Sequence, residues 1–414
     1  MTPSRVHVRL QFTTGSEISV GTIARSSQRI VFQYDETFLD RPLPLSPFRL
    51  PVQQAAHIAD GAGRMETFGV FDDAMPDGWG RRVLEGAFRQ RVGRAPDTIE
   101  RLLLVGTRGM GALTFHPAIE EADEIGARIN IGDLAHKAWD LDDEHVDEVL
   151  PELRRMAGTS GGARPKALIA LAVDAAGAVR HACAGDGDIP PTHEHWIVKF
   201  NARGDGRHAG VLEYIWARIA EQAGADVPPH RLLDTRAGRF FATRRFDRPS
   251  HDTRLHMHSA AGLLHADFRI PGDEYQVLFD LTDALTHAYA ESIELFRRAC
   301  LNVLACNRDD HLKNTAWLMD ATGAWRLSPL FDFTYSEGPN GWHTLSVAGE
   351  GRDPRRADLE RLGRACGLRH RDITTVLEQT AEAVSGFDRL AREHEVPQRL
   401  RQTIGERLRS LART

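Results

Sequence analysis

Residues 307–332 read NRDDHLKNTAWLMDATGAWRLSPLFD. Residues 315–319 and 325–327 are short runs rich in aromatic and apolar side chains, and Asp320-Ala321-Thr322-Gly323 between them supplies turn chemistry, with Gly323 free to take a positive φ. The pattern predicts a β-hairpin. Counting outward from the turn brings Asn314 and Asp332 to the same open end, so an amide oxygen and a carboxylate converge there. Two oxygen ligands with room for water and phosphate suit Mg²⁺. Asp309 stands five residues before Asn314, close enough along the loop to face a substrate hydroxyl while Asn314 holds metal. That is the spacing and division of roles of a kinase catalytic loop. Other readings exist: D-x-x-x-x-N recurs by chance, and Asp309-Asp310-His311 also fits a hydrolase metal cluster or a surface turn. Context favours phosphoryl transfer, because Leu295, Phe296, Ala299, Cys300, Val303 and Leu304 recur at helical spacing just ahead and bury one face under the loop.

Such a site needs a nucleotide region upstream. Gly158-Thr159-Ser160-Gly161-Gly162-Ala163-Arg164-Pro165-Lys166 is a small-residue loop directly before an apolar run at 167–173. Glycines let backbone N–H groups turn toward phosphate oxygens with no Cβ in the way. The loop is neither a Walker A sequence nor G-x-G-x-x-G, and a flexible linker is the competing reading. Residues 167–173 and 178–183, around the turn Asp174-Ala175-Ala176-Gly177, predict another hairpin. His195-Trp196-Ile197-Val198-Lys199-Phe200 reads as a buried strand whose lysine is costly to bury unless paired. An edge strand with Lys199 reaching solvent is the alternative. Residues 212–220 predict a helix that ends at Gly224, ahead of Val227-Pro228-Pro229. Its Glu213 is either a surface residue or the partner of Lys199, as when a helix glutamate orients the strand lysine that binds the α/β-phosphates. Two strands, 231–233 and 239–243, lead into Arg244-Arg245-Phe246-Asp247-Arg248-Pro249, a crossing whose backbone can read an adenine edge.

In this order the parts resemble the HipA family of serine/threonine kinases, the toxin components of bacterial toxin–antitoxin modules. The resemblance is carried by G-G-A-R-P-K at 161–166, I-V-K-F at 197–200, R-F-D-R at 245–248, N-x-D-D-H-x-K-N at 307–314 and P-L-F-D at 329–332. Phe71 with Met75-Pro76-Asp77-Gly78-Trp79 and Arg81-Arg82 is similar to the family's L-P-(D/E)-(N/G)-W segment. Val105-Gly106 with Gly109-Met110-Gly111-Ala112-Leu113 is similar to the glycine-rich turn that follows it.

The resemblance implies an α+β, bilobal protein-kinase-like fold with an N-terminal β-rich subdomain and a mostly helical C-terminal lobe. It implies Asp309 as catalytic base, Asn314 and Asp332 as Mg²⁺ ligands, and Lys199, backed by Glu213, on the ATP phosphates. Gly161, Gly162, Ala163, Arg164, Pro165 and Lys166 become the phosphate-side loop, and Arg244, Arg245 and Phe246 the adenine hinge. His311, Leu312, Lys313 and Asn314, with Phe331 and Asp332, become the nucleotide floor; Lys313 either sits near the γ-phosphate or pairs with Asp309. In the family a serine ahead of the glycine loop is autophosphorylated, which expels the loop and shuts off ATP binding. Here Thr159 stands at that position, with Ser160 beside it. Phosphate on either hydroxyl adds ~1.5–2 negative charges next to a phosphate-binding loop and opposes ATP by like-charge repulsion. The implied partners are a protein substrate and a helix-turn-helix antitoxin, with operator DNA reached only through the antitoxin.

A chain of 414 residues exceeds one ordinary core, and 42% hydrophobic with 27% charged residues is a soluble globular composition. No apolar run is long enough to span a membrane, and the N-terminal MTPSRVHVRLQF lacks the apolar core of a signal peptide, so a cytoplasmic protein is expected. The cysteines at 183, 300, 306 and 366 show no CxxC spacing and read as free buried thiols. A net charge of −6 argues against nucleic acid held by overall charge, and the arginines of 399–413 alternate with Leu400, Ile404, Leu408 and Leu411 as a solvated helix face does.

The expected organisation is a β-rich part at 1–118 with strands at 6–12, 18–24 and 29–34 and a helix near 79–90. A small lobe at 119–250 follows, then a largely helical part at 251–414. Two rivals stand beside the protein-kinase reading: a small-molecule phosphotransferase of the same fold, and an inactive pseudokinase serving as an antitoxin-bound repressor component.

Overall fold

Strict alternation in the first strand builds the first sheet. In β1 (Arg5–Thr13), Val6, Val8 and Leu10 are fully buried while Arg5, His7 and Thr13 do not enter the core. Period-2 alternation puts the two sets on opposite faces. β1 pairs antiparallel with β2 (Ser16–Ser26), and β2 with β3 (Arg29–Tyr34). With β4 (His57–Ile58) and β5 (Leu113–His116) the order is β4-β3-β2-β1-β5. Phe32 and Phe71 pack at 5.0 Å between ring centroids, and Phe71 meets Phe115 edge-on at 6.3 Å, which fills the buried face. This is a computed structural model, describing residues 4–27, 29–61, 65–119, 126–140, 164–185, 187–201 and 206–412.

The chain divides into two compact units. The first comprises Met1–Arg207, Leu233–Asp267 and Leu318–Ala324; the second comprises His208–Leu232, Phe268–Trp317 and Trp325–Thr414.

The first unit holds a second antiparallel sheet. β6 (Lys166–Val173) lies between β7 (Val179–Ala184) and β8 (Glu194–Lys199), β8 pairs in turn with β10 (Gly238–Arg244), and β9 (His230–Thr235) ends the order β7-β6-β8-β10-β9. Ala167, Ile169, Leu171, Trp196, Val198 and Phe240 form its core, joined by Trp79 and Val83 of the helix Gly78–Val92. β8 is therefore a central strand, and the edge-strand reading of Lys199 falls.

The R-F-D-R segment acts through its side chains. Asp247, fully buried, accepts from Arg245 Nη2 at 2.7 Å, Arg248 Nη1 at 2.8 Å and the Gly111 N–H at 2.8 Å. Arg248 also donates to the carbonyls of Gly109 and Gly111 at 2.9 and 2.7 Å. Burial by itself raises a carboxyl; the two guanidiniums and the Gly111 N–H outweigh it and hold Asp247 well below the usual range. The glycine turn seen in the sequence is the strand–turn segment that this ion cluster grips.

Two histidines of this unit are buried without charge. Burial, with nearby arginines, pushes His195 down to about 3, and burial, with His258, pushes His256 down to about 3, from an ordinary 6.5. Each folded value lies below the unfolded one, so between about pH 6.5 and pH 3 the unfolded chain binds protons that the folded chain refuses. Stability therefore falls as pH falls through that window, by up to ~1.4 kcal/mol per pH unit for each histidine. Urea titrations at stepped pH should show the midpoint dropping from near neutrality downward; a midpoint unchanged until carboxylates titrate would remove both histidines from this role.

The second unit is mainly helical. Val211, Ile215, Trp216 and Ile219 of the helix Ala209–Gln222 meet Leu301, Phe387, Leu390 and Ile404 in one core, with Trp216 stacked on Phe387 at 5.1 Å. Glu213, 4% exposed, lies on this helix, so it is not a surface glutamate. Among the described residues no helix is long and apolar enough to cross a membrane. Cys183, Cys300 and Cys306 are buried free thiols as expected; Cys366 is only half-buried and bonds Gln276 Oε1 at 3.1 Å.

Candidate active site

The helix Tyr289–Leu304 buries Leu295, Phe296, Ala299, Cys300 and Val303, the apolar face read from the sequence. Past it the chain turns at Cys306, where φ is +54°. Side chains then alternate: Arg308 is 7% exposed and Asp310 4%, while the Asp309 side chain between them is 63% exposed. Arg308 donates to the Arg352 carbonyl at 2.9 Å. Asp310 accepts from Tyr275 Oη, from His343 Nδ1 and from the Thr344 N–H, each at 2.8 Å. Burial, and then the Asp310 carboxylate, push the Tyr275 hydroxyl well above the phenol range, so it stays a donor. Asn302 Nδ2 donates to Tyr275 Oη at 2.9 Å, and Asn307 Nδ2 to Asn302 Oδ1 at 2.9 Å. The loop is thus held from behind while Asp309 is presented outward.

Leu312–Asn314 forms one 3₁₀ turn, with Leu312 1% exposed as its plug. Asn314 Nδ2 donates to the Asp309 carbonyl at 2.7 Å, which leaves its Oδ1 as the acceptor. His311 Nε2 lies 3.7 Å from Asp309 Oδ1, and its ring sits 5.0 Å from Phe268. Lys313 Nζ lies 5.1 Å over the same Phe268 ring. Ala316–Met319 and Trp325–Leu327 form the hairpin, closed by Asp320 N–H to Ala324 O at 3.2 Å near the tip and Ser328 N–H to Ala316 O at 2.9 Å at the base. Gly323 takes φ +87° in the turn.

At the open end Asp332 has φ +53°, a left-handed conformation uncommon outside glycine, asparagine and aspartate. Asn314, Asp332, Phe331, Asn302, Asn307 and Asp310 line one cleft. Among the described residues Asn307 Oδ1 is buried there without a hydrogen-bond partner. A carboxylate, an amide oxygen and an orphaned amide oxygen in one cleft are hard donors that fit Mg²⁺ and not a soft metal.

The other residues singled out in the sequence lie in different places. Lys166 is the first residue of β6 and not part of the loop; it is 5% exposed and directly opposite Lys199 in the β6–β8 register. Pro165 accepts from the Phe200 N–H at 2.9 Å, so the sheet begins there, just after Arg164. Lys199 is half-buried with Nζ 5.8 Å over the Phe241 ring. Arg244 pairs with Glu194 at 2.8 Å, and the Arg245 N–H is donated to His195 O at 2.9 Å, which leaves that N–H unable to read a base. Phe246 follows next in the chain. Lys199 and Glu213 belong to different units. Thr159, Ser160, Gly161, Gly162 and Ala163 lie outside the described residues.

Sequence reasoning passed over Tyr275, His343 and Asn302, and gave Asp310 no anchoring role.

Residues 14–116 match the HipA N-terminal domain and residues 158–386 the HipA-like C-terminal domain. Among solved structures, HipA of Shewanella oneidensis MR-1, from the complex of a toxin–antitoxin system HipA, HipB and its operator DNA, aligns with a TM-score of 0.69. That alignment covers 98% of this chain and 95% of the other at 16% identity. The Helicobacter pylori proinflammatory kinase CtkA aligns over 53% of this chain and 84% of its own, with a TM-score of 0.39 and 11% identity. No curated protein matches the chain.

Proposed function

The chain belongs to the HipA family, with both of its domains, and from that premise we propose that it is an ATP- and Mg²⁺-dependent serine/threonine protein kinase, the toxin of a toxin–antitoxin module. The observation that carries the reading is the convergence of Asn314 and Asp332 on one cleft, with Asn314 tied to the backbone of an outward-facing Asp309. Asp309 orients a Ser or Thr hydroxyl and takes its proton. The hydroxyl oxygen bonds to the γ-phosphorus as the bond to the β–γ bridging oxygen breaks, and ADP leaves. Asn314 and Asp332 hold Mg²⁺, which when bound neutralises charge on the phosphates.

Lys166 and Lys199 stand opposite each other in the sheet. Lys199 contacts the ATP phosphates. Thr159 or Ser160 receives phosphate in the self-limiting reaction. A small DNA-binding antitoxin is the partner, through which operator DNA is reached, and the cytoplasm is the compartment.

Incubating the full chain with labelled ATP and Mg²⁺ and mapping phosphosites should find label on Thr159 or Ser160, and on a protein target when cell extract is added. Nucleotide binding without transfer to any protein would favour the repressor-component reading. Label on a small molecule alone would favour the phosphotransferase.

A further inference from the structure

Three ligand-type side chains of the first unit, none of them assigned a role above, come together. His181 and Cys183 stand two apart on β7 and so project from one face of that strand. His193 lies in the turn that enters β8. Their donor atoms all fall within 4.8 Å of one another. His181 Nδ1 and His193 Nε2 are 2.8 Å apart, with the rings crossing at 89°. Cys183 is fully buried and His193 is 8% exposed. Ala170 and Ile189 pack around the thiol. An imidazole pair closed over a buried thiol is an expensive way to fill space and an ordinary way to bind a metal.

We propose that His181, Cys183 and His193 form a zinc site with the fourth position left to water. One thiolate and two imidazoles select a borderline-soft, tetrahedral ion over Mg²⁺ or Ca²⁺. Bonds of about 2.0–2.1 Å to nitrogen and about 2.3 Å to sulfur place donor atoms roughly 3.3–3.6 Å apart in a tetrahedron. The 2.8 Å histidine contact opens by about half an ångström and the wider separations close by about one, changes within reach of side-chain rotation.

The surrounding hydrogen bonds favour the required tautomer. Thr192 Oγ1 lies 3.1 Å from His193 Nδ1, where the hydroxyl can accept the Nδ1 proton of the tautomer whose Nε2 keeps its lone pair for the metal. Without metal, His181 Nδ1–H donates to His193 Nε2. On binding, that proton shifts to His181 Nε2, the Cys183 thiol proton is released, and one proton leaves per ion.

The metal ties β7, the edge strand of the sheet, to the turn before β8, and the far end of β8 carries Lys199. It is a clip on the sheet that holds the lysine pair, and it takes no part in phosphate transfer.

Chelator-treated full-length protein titrated with Co²⁺ should take up one ion per chain with a thiolate-to-cobalt charge-transfer band and the intense ligand-field bands of four-coordination, both bleached by Zn²⁺. Cys183→Ser and His181→Ala should abolish the bands and weaken Zn²⁺ binding by at least ~100-fold. Cys366→Ser, which alters the half-buried thiol elsewhere, should keep them. His181 is only half-buried, so its variant stays folded even where Cys183→Ser does not, and a thermal melt of each variant verifies this. A wild type without the charge-transfer band, or a band that survives in both His181→Ala and Cys183→Ser, overturns the site.

Discussion

Asp309→Asn is expected to slow phosphate transfer by ~10²–10⁴-fold, the range of a lost general base, while nucleotide affinity and thermal stability stay near wild type. The substituted side chain is 63% exposed, so little packing changes and the stability cost should stay within about 0.5 kcal/mol. The amide keeps the shape and an acceptor oxygen but cannot take the hydroxyl proton at neutral pH. Asn314 stays in place, because its Nδ2 bonds the backbone carbonyl of residue 309 and not the side chain. The expected pattern is therefore a fall in kcat with KM for ATP nearly unchanged. Labelling of the variant at the wild-type rate would remove Asp309 from its role and, with it, the kinase-loop reading of residues 307–314.

Much of this site was legible because it is local. The hairpin announces itself by the Asp320-to-Gly323 turn between two apolar runs, and its geometry alone places Asn314 and Asp332 together. The strands at 166–173 and 194–199 follow from short apolar runs bounded by turn residues. What escaped depends on distant partners. β5 reads as the tail of a glycine-rich turn until β1 pairs with it. The strand His256–Ser259 sits where a helical stretch was expected, because three polar residues in four carry no apolar period. The grip of Asp247 and Arg248 on Gly109 and Gly111, more than 130 residues away in the chain, has no local signal. The meeting of His181, Cys183 and His193 has no sequence spacing to betray it, since the hairpin and the following turn bring it about.

Asp310→Ala should do the opposite of Asp309→Asn: it should destabilise the chain severely. The alanine leaves Tyr275 Oη, His343 Nδ1 and the Thr344 N–H without their common acceptor, in a place where Asp310 is 4% exposed and His343 4%. Each buried donor left unpaired costs ~1–3 kcal/mol, so a total of ~3–5 kcal/mol is expected after partial relaxation. That is a large share of the ~5–15 kcal/mol that typically holds a domain together and corresponds to a melting point lower by roughly 10 °C. Asp310→Asn keeps one acceptor oxygen for the Thr344 N–H and presents an N–H₂ to Tyr275 Oη, which can accept, so its cost should be about half. The loop behind Asp309 loosens in both variants, and any loss of transfer should follow the loss of folded protein. Thermal and urea unfolding of the three variants decides the matter. If Asp309→Asn unfolds early and Asp310→Ala does not, the inward and outward assignment of the two carboxylates is reversed, and the site built on it fails.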